Sequence, residues 1–363
     1  MNIPLFGYGL IELVFSIITA LLIFVFGIKF FSVIAKTINA TSELRESNKS
    51  VAVFVSGFIF ALTIMIKTTI PPIVSTIKQT FENPDFALVD TVFMTARILS
   101  YYILAGIFAL IIIWLAVKLF ILFTFEIDEM NEIRDGNSAI SIILSGLIIS
   151  ISLILADPLT TLLKGIGTYT GPSSPDLKAP IINTGVFIEG LIGTGIAIIG
   201  SIFIFFISFK FFTYITKNAG NLNELKKNNN SIAILISGFI FGVMIIVKAS
   251  ISPAQSILAN MSIWLSAGFL PNLLLALGLI MLYFLIGGFF SFIVLSICMK
   301  IFFVIIKDDK RAEKVIKNNP AVSLVISFLI IALSILIERG ITTTLNGISV
   351  ITGLISQSNI NGL

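Results

Sequence analysis

Apolar runs of about 20 residues, each long enough to cross a ~30 Å hydrocarbon layer as a helix, recur along the chain and alternate with short polar turns. They predict eight spans, over residues 10–35, 48–66, 98–125, 138–156, 186–215, 231–249, 273–306 and 321–337. Pro71 and Pro72 close the second span and Pro158 follows the fourth, each leading into an amphipathic tail in which Ser, Thr and Gly alternate with apolar residues. Such tails, 70–81 and 341–355 among them, are expected to lie on the membrane surface, with re-entry into the bilayer as the other option. Residues 168–180, with Gly171, Pro172 and Pro175, have the most loop-like composition and divide the chain into four-helix domains 1–180 and 181–363.

The pattern repeats. Residues 43–60 and 224–241 align without a gap at ten identities in eighteen positions, so the two halves are duplicates. Within each half the unit recurs after about ninety residues. Asn48, Asn137, Asn229 and Asn319 each open an even-numbered helix, and Ser56, Ser145, Ser237 and Ser327 lie eight residues further on. Lys29, Lys118, Lys210 and Lys300 mark the odd helices, each nineteen residues before its asparagine. The unit is therefore a helical hairpin with a tail. Because each unit holds two spans, all four keep one orientation, and the repeat is parallel rather than inverted.

Composition sharpens the class. Hydrophobic residues make up 57% of the 363 positions and charged residues 12%, about half the charged share of a soluble domain. The chain reads as an all-α, polytopic membrane protein. It has no histidine and one cysteine, Cys298, which removes internal disulfides, His-ligated metals and His-based catalysis. No Lys or Arg precedes Lys29, so the first apolar run reads as a true span rather than a cleaved signal. The four hairpin turns and the four odd-helix lysines carry most of the 23 basic residues, which places the turns in the cytoplasm and both termini outside a plasma membrane.

The charged turn leading into Asn-x-Ser or Asn-Ser-Ala and a Ser-Gly helix, as in residues 227–238 and 137–146, resembles the YjfL-like family of prokaryotic inner-membrane proteins (domain of unknown function 350). The resemblance implies two tandem copies of a four-span domain covering nearly the whole chain. It implies a fold and a location but no activity. The fourth unit departs from the pattern, with Pro320 after Asn319 and Phe328 where the others have Gly.

Four sets of residues are candidates. A ring of four asparagines could bind an ion, but Asn is a favoured N-cap and Pro320 fits a first helical turn, so capping is the preferred reading. Gly57, Gly146, Gly238 and Gly242 fall in small-xxx-small spacing that lets helix backbones approach in lipid. Lys29, Lys118, Lys210 and Lys300 lie about 10 Å inside the helix ends, where they either snorkel to headgroups or turn carboxylates, or ring a polar path attractive to anions. At the opposite ends of the even helices, Lys67, Asp157, Lys248 and Glu338 suggest pairs of Lys67 with Asp157 and of Lys248 with Glu338. Glu12 and Glu189 stand near the outer starts of the first and fifth helices, where edge placement explains them.

Two functions follow as expectations. The first is passive conduction or transport of a small ion or solute through the bundle, its charge set by the four lysines. The second is a structural or adaptor membrane protein that holds a peripheral cytoplasmic partner or anionic lipid at its turns. No catalytic cluster points to an enzyme, and no cofactor is expected. The expected partners are the bilayer, further copies of the chain and a peripheral protein, with no nucleic acid.

Overall fold

The computed structural model describes residues 3–81, 88–124, 127–167, 183–216, 222–251, 253–254, 257, 269–306 and 318–351. Twelve helices are defined among them. The first half holds α1 (Ile3–Ile34), α2 (Ala40–Arg45), α3 (Lys49–Lys67), α4 (Ile70–Phe81), α5 (Leu88–Phe123), α6 (Glu129–Arg134) and α7 (Ser138–Gly167). The second holds α8 (Thr184–Ile215), α9 (Leu222–Lys226), α10 (Asn230–Lys248), α11 (Phe269–Ile306) and α12 (Pro320–Ile351). Seven stretches among the described residues are long and apolar enough to cross a membrane, or eight with the two arms of α1, which bends by 47°. The protein is a multi-pass, all-α membrane protein. Helix is the form these sequences must take, because in lipid every backbone N–H and C=O needs a partner within its own segment.

The even helices α3, α7, α10 and α12 stand side by side in chain order, each packed on the next. The odd helices form a second layer. There α1 lies on α3, α5 on α3 and α7, α8 on α7 and α10, and α11 on α10 and α12, while neighbouring odd helices touch one another. The core sits between the layers and along the row, with Phe31, Phe54, Phe58, Phe120, Phe212 and Phe239 fully buried. Edge-on ring contacts tie odd to even helices: Phe31 meets Phe54 and Phe58 at 5.0 and 5.6 Å, and Phe212 meets Phe239 at 5.3 Å. Within the row α7 and α10 are the most buried spans, and α12 is the least.

The tails divide into two kinds. After α3 the chain turns at Thr68 and Thr69, whose hydroxyls donate to the carbonyls of Met65 and Ile66 at 2.6 and 2.8 Å, and Pro71 and Pro72 fall in the first turn of α4. After Asp157 the expected break is missing: α7 runs unbroken through Pro158 to Gly167. A lone proline removes one backbone bond and bends a helix, and packed neighbours hold it in place; two in succession favour a helix start instead. α12 likewise continues to Ile351 through the start of its expected tail. The 30 residues of α7 reach about 45 Å, more than a hydrocarbon layer, so α7 tilts or projects. The tail residues beyond Ile351 and the loop 168–180 fall outside the described residues.

Candidate functional site

Each even helix starts at one asparagine. The Asn48 Oδ1 accepts from the N–H groups of Ser50 and Val51 at 3.0 and 3.2 Å. Asn137 and Asn229 accept from Ile140 and Ile232 at 3.3 and 3.2 Å, and Asn319 from Ala321 and Val322 at 3.1 and 3.2 Å. All four asparagines cap their helices, satisfying N–H groups that a helix start leaves open. The amide nitrogen does a second job. In three turns it donates to the glutamate five residues earlier: Asn48 to Glu43 at 2.8 Å, Asn137 to Glu132 at 2.9 Å, Asn229 to Glu224 at 3.0 Å. It also reaches the following unit, from Asn48 to the Arg134 carbonyl at 2.7 Å and from Asn137 to the Leu225 carbonyl at 3.0 Å. One side chain therefore starts its helix, locks its turn and stitches that turn to the next. The glutamates escaped the sequence reading, although their shared spacing to the asparagine is visible there.

The residue before each of these three caps takes a left-handed conformation: Ser47 (φ 61°), Gly136 (φ 93°) and Asn228 (φ 56°). That conformation reverses the chain within one residue between the turn helix and the even helix.

The Ser-Gly pairs build the row. A Cβ placed on Gly57 would overlap Ser145, one on Gly146 would overlap Ser237, and one on Gly238 would overlap Ser327. At each of the three junctions the earlier helix therefore turns its glycine toward the next one, whose serine faces back. Ser145 donates to the Val53 carbonyl at 3.1 Å and Ser327 to the Ile234 carbonyl at 2.9 Å, the same bond in two junctions. Hydroxyl pairs Ser50–Ser141 at 2.6 Å and Ser231–Ser323 at 3.0 Å lie one turn nearer the caps. Gly242 faces Ile330 and Ser334. Single-sequence reasoning found the small residues but not which helix each one meets.

Lys29, Lys118, Lys210 and Lys300 are all exposed, on the outer side of the odd-helix layer. The Lys29 Nζ lies 5.9 Å from the centre of the Phe26 ring on its own helix, a cation–π distance. The four share one depth and succeed one another across the layer. They do not converge on the interior.

At the other end, the row order brings together a different pair from the one expected. Lys248 and Asp157 form an ion pair at 3.4 Å, joining α7 of the first half to α10 of the second. Lys67 and Glu338 stand on the outer helices of the row, α3 and α12, and make no ion pair among the described residues. The expected pairing kept each pair within one half. α7 meets α10 along its length, however, and this puts Asp157 within reach of Lys248. Glu12 is exposed and Glu189 half-buried.

The second turn carries one unusual group. Glu129, first residue of α6, is 2% exposed, and Thr124 donates to its carboxylate. Burial pushes the Glu129 carboxyl up to about 7. Glu224, buried in the third turn, is instead held by Asn229 and by Lys227, whose Nζ is 3.4 Å away.

Compared with known proteins, the sequence model of the family described as Domain of Unknown Function (DUF350) matches residues 5–157 and again residues 186–341. No curated protein and no solved structure matches the chain.

Proposed function

Since the chain belongs to the DUF350 family, as two tandem copies whose description carries no activity, we propose that it is a structural membrane protein that holds anionic lipid headgroups along its odd-helix layer. The observation that carries this reading is the placement of the four lysines. Lys29, Lys118, Lys210 and Lys300 are exposed at one depth on the outside of the bundle. Lysines near a helix end on a lipid-facing surface snorkel toward phosphate, and an anionic leaflet rewards each such charge with about 1 kcal/mol.

The interior supports the same choice over conduction. The row is closed by glycine-on-serine contacts. Hydroxyls such as those of Ser150, Ser152, Ser208 and Ser334 are fully buried in the packed interior and donate their protons to carbonyls of their own helices at 2.6–2.8 Å. With the turns placed in the cytoplasm, the lysines face the leaflet richest in acidic lipid, and the stitched turns form a rigid platform for a peripheral partner.

The test uses the full chain in liposomes of anionic and zwitterionic lipid. Retention of anionic phospholipid by the purified protein should drop when all four lysines become Gln, and neither form should pass ions or small solutes down a gradient. Lysine-dependent flux would overturn the proposal in favour of conduction, and lipid retention unchanged by the substitutions would remove the headgroup site.

A further inference from the structure

The four odd-helix lysines sit inside apolar stripes. Phe26, Lys29 and Val33 on α1, and Trp114, Lys118 and Leu122 on α5, follow one another at three- and four-residue spacing, which puts each set on one helix face, and all six are exposed. On α8 Tyr214 stands one turn beyond Lys210, and on α11 Ile297 one turn before Lys300, both exposed. Each lysine therefore stands on a lipid-facing track. The chain itself supplies no counter-charge: among the described residues none of the four makes an ion pair. Acids on their own helices are remote. Glu12 is seventeen residues before Lys29, Asp90 twenty-eight before Lys118 and Glu189 twenty-one before Lys210, and α11 has none. A cation beside apolar surface without a partner is costly, and an anionic headgroup offsets that cost.

The row sets the spacing of the lysines. Phe31 meets Phe58 in the first unit as Phe212 meets Phe239 in the third, so odd helices lie on even ones in the same register. The even helices also meet one another in one register, Gly57 on Ser145, Gly146 on Ser237 and Gly238 on Ser327. Successive units therefore step sideways by one packed helix, about 8–10 Å, and neighbouring lysines are one step apart. Alternate lysines are two steps apart. The odd helices are themselves in contact, with Phe120 and Phe205 at 6.4 Å and Phe211 and Phe292 at 4.5 Å, so lipid lies over this layer and not within it. Each family copy contributes two odd helices, and hence one adjacent pair of lysines.

We propose that each family copy binds one four-chain phospholipid with two phosphates, of the diphosphatidylglycerol class, bridging Lys29 and Lys118 in the first copy and Lys210 and Lys300 in the second. The proposal rests on the lipid reading above and names its ligand. One glycerol joins the two phosphates of such a lipid. Once the first meets a lysine, the second is held near the neighbouring lysine at high effective concentration. A single immobilised lipid thus makes two ion pairs, whereas lipids with one phosphate are immobilised once for each. The flexible lysine stems take up the difference between the phosphate separation and the helix step. Two steps, with a helix between, are beyond one headgroup.

The test uses the full chain in bilayers that hold diphosphatidylglycerol and phosphatidylglycerol at equal phosphate content. Wild type is compared with Lys210→Gln plus Lys300→Gln and with Lys118→Gln plus Lys300→Gln. Both variants lose two charges. The first keeps the adjacent Lys29 and Lys118, whereas the second keeps Lys29 and Lys210, with α5 between them. Native mass spectrometry of the purified chains counts the lipids retained. Wild type should hold two molecules of diphosphatidylglycerol in preference to phosphatidylglycerol, and the adjacent-pair variant one. The alternate variant should retain about tenfold less than the adjacent-pair variant. Equal retention by the two variants overturns the proposal, as does equal retention of both lipids per phosphate by wild type. In either case, a loss of anionic lipid when all four lysines become Gln leaves the lipid reading standing. Retention that ignores all four substitutions removes both.

Discussion

Lys248 reaches across the junction of the two halves to Asp157, its Nζ 3.4 Å from the carboxylate Oδ2. Both groups are partly exposed, at 30% and 53%, so solvent screens the pair and its coupling should be about 0.5–1 kcal/mol. A double-mutant cycle with Asp157→Asn and Lys248→Gln, read as unfolding free energy in mixed micelles, measures it. Strict additivity of the two substitutions would mean that the charges stand close without stabilising the junction.

A side chain at Gly146 has nowhere to go. Gly146→Val should cost about 2–3 kcal/mol, because its Cβ overlaps Ser237 and the α7 and α10 backbones must separate. Gly106→Val on α5 is the control: nothing lies within 4 Å of a Cβ there. The thermal midpoint of the purified protein should fall for the first variant and hold within a few degrees for the second. Equal losses would show that helix propensity, and not the packing of the row, sets the cost.

Asn137 and Asn319 both cap, but among the described residues only Asn137 also holds a glutamate and a carbonyl of the next unit. Asn137→Ala should therefore cost about 2–3 kcal/mol and Asn319→Ala about 1 kcal/mol. Amide exchange adds a local readout. Protection around Leu225 should fall in Asn137→Ala and stay in Asn319→Ala. A uniform change along the chain in both variants would reduce the asparagine to a cap.

Glu129 makes stability depend on pH. Its carboxyl, at about 7 when folded against an ordinary value of 4.5, binds its proton more tightly in the folded chain. The folded state is thus favoured fully below pH ~4.5, and that share, on the order of 3 kcal/mol, is lost as pH rises through about 7. Melting curves from pH 5 to 8 should fall for wild type and flatten in Glu129→Gln. A slope that survives the substitution would assign the pH response to another group.

Period and spacing alone determined much of this protein. Runs of about 20 apolar residues allow only helices in lipid, and the recurrence of Asn48, Asn137, Asn229 and Asn319 identifies four like units and their caps, because capping is local chemistry spanning three residues. The small-residue spacing from Gly57 onward marks a packing face for the same reason. The sequence does not say which face meets which helix. That Asp157 pairs with Lys248 and not Lys67, that the lysines from Lys29 to Lys300 point outward, and that α7 runs through Pro158 all depend on the order in which the even helices stand. That order follows from contacts about ninety residues apart, glycine of one unit against serine of the next. Duplication repeats the same residues in every unit, so each glycine has several candidate partners until packing selects one.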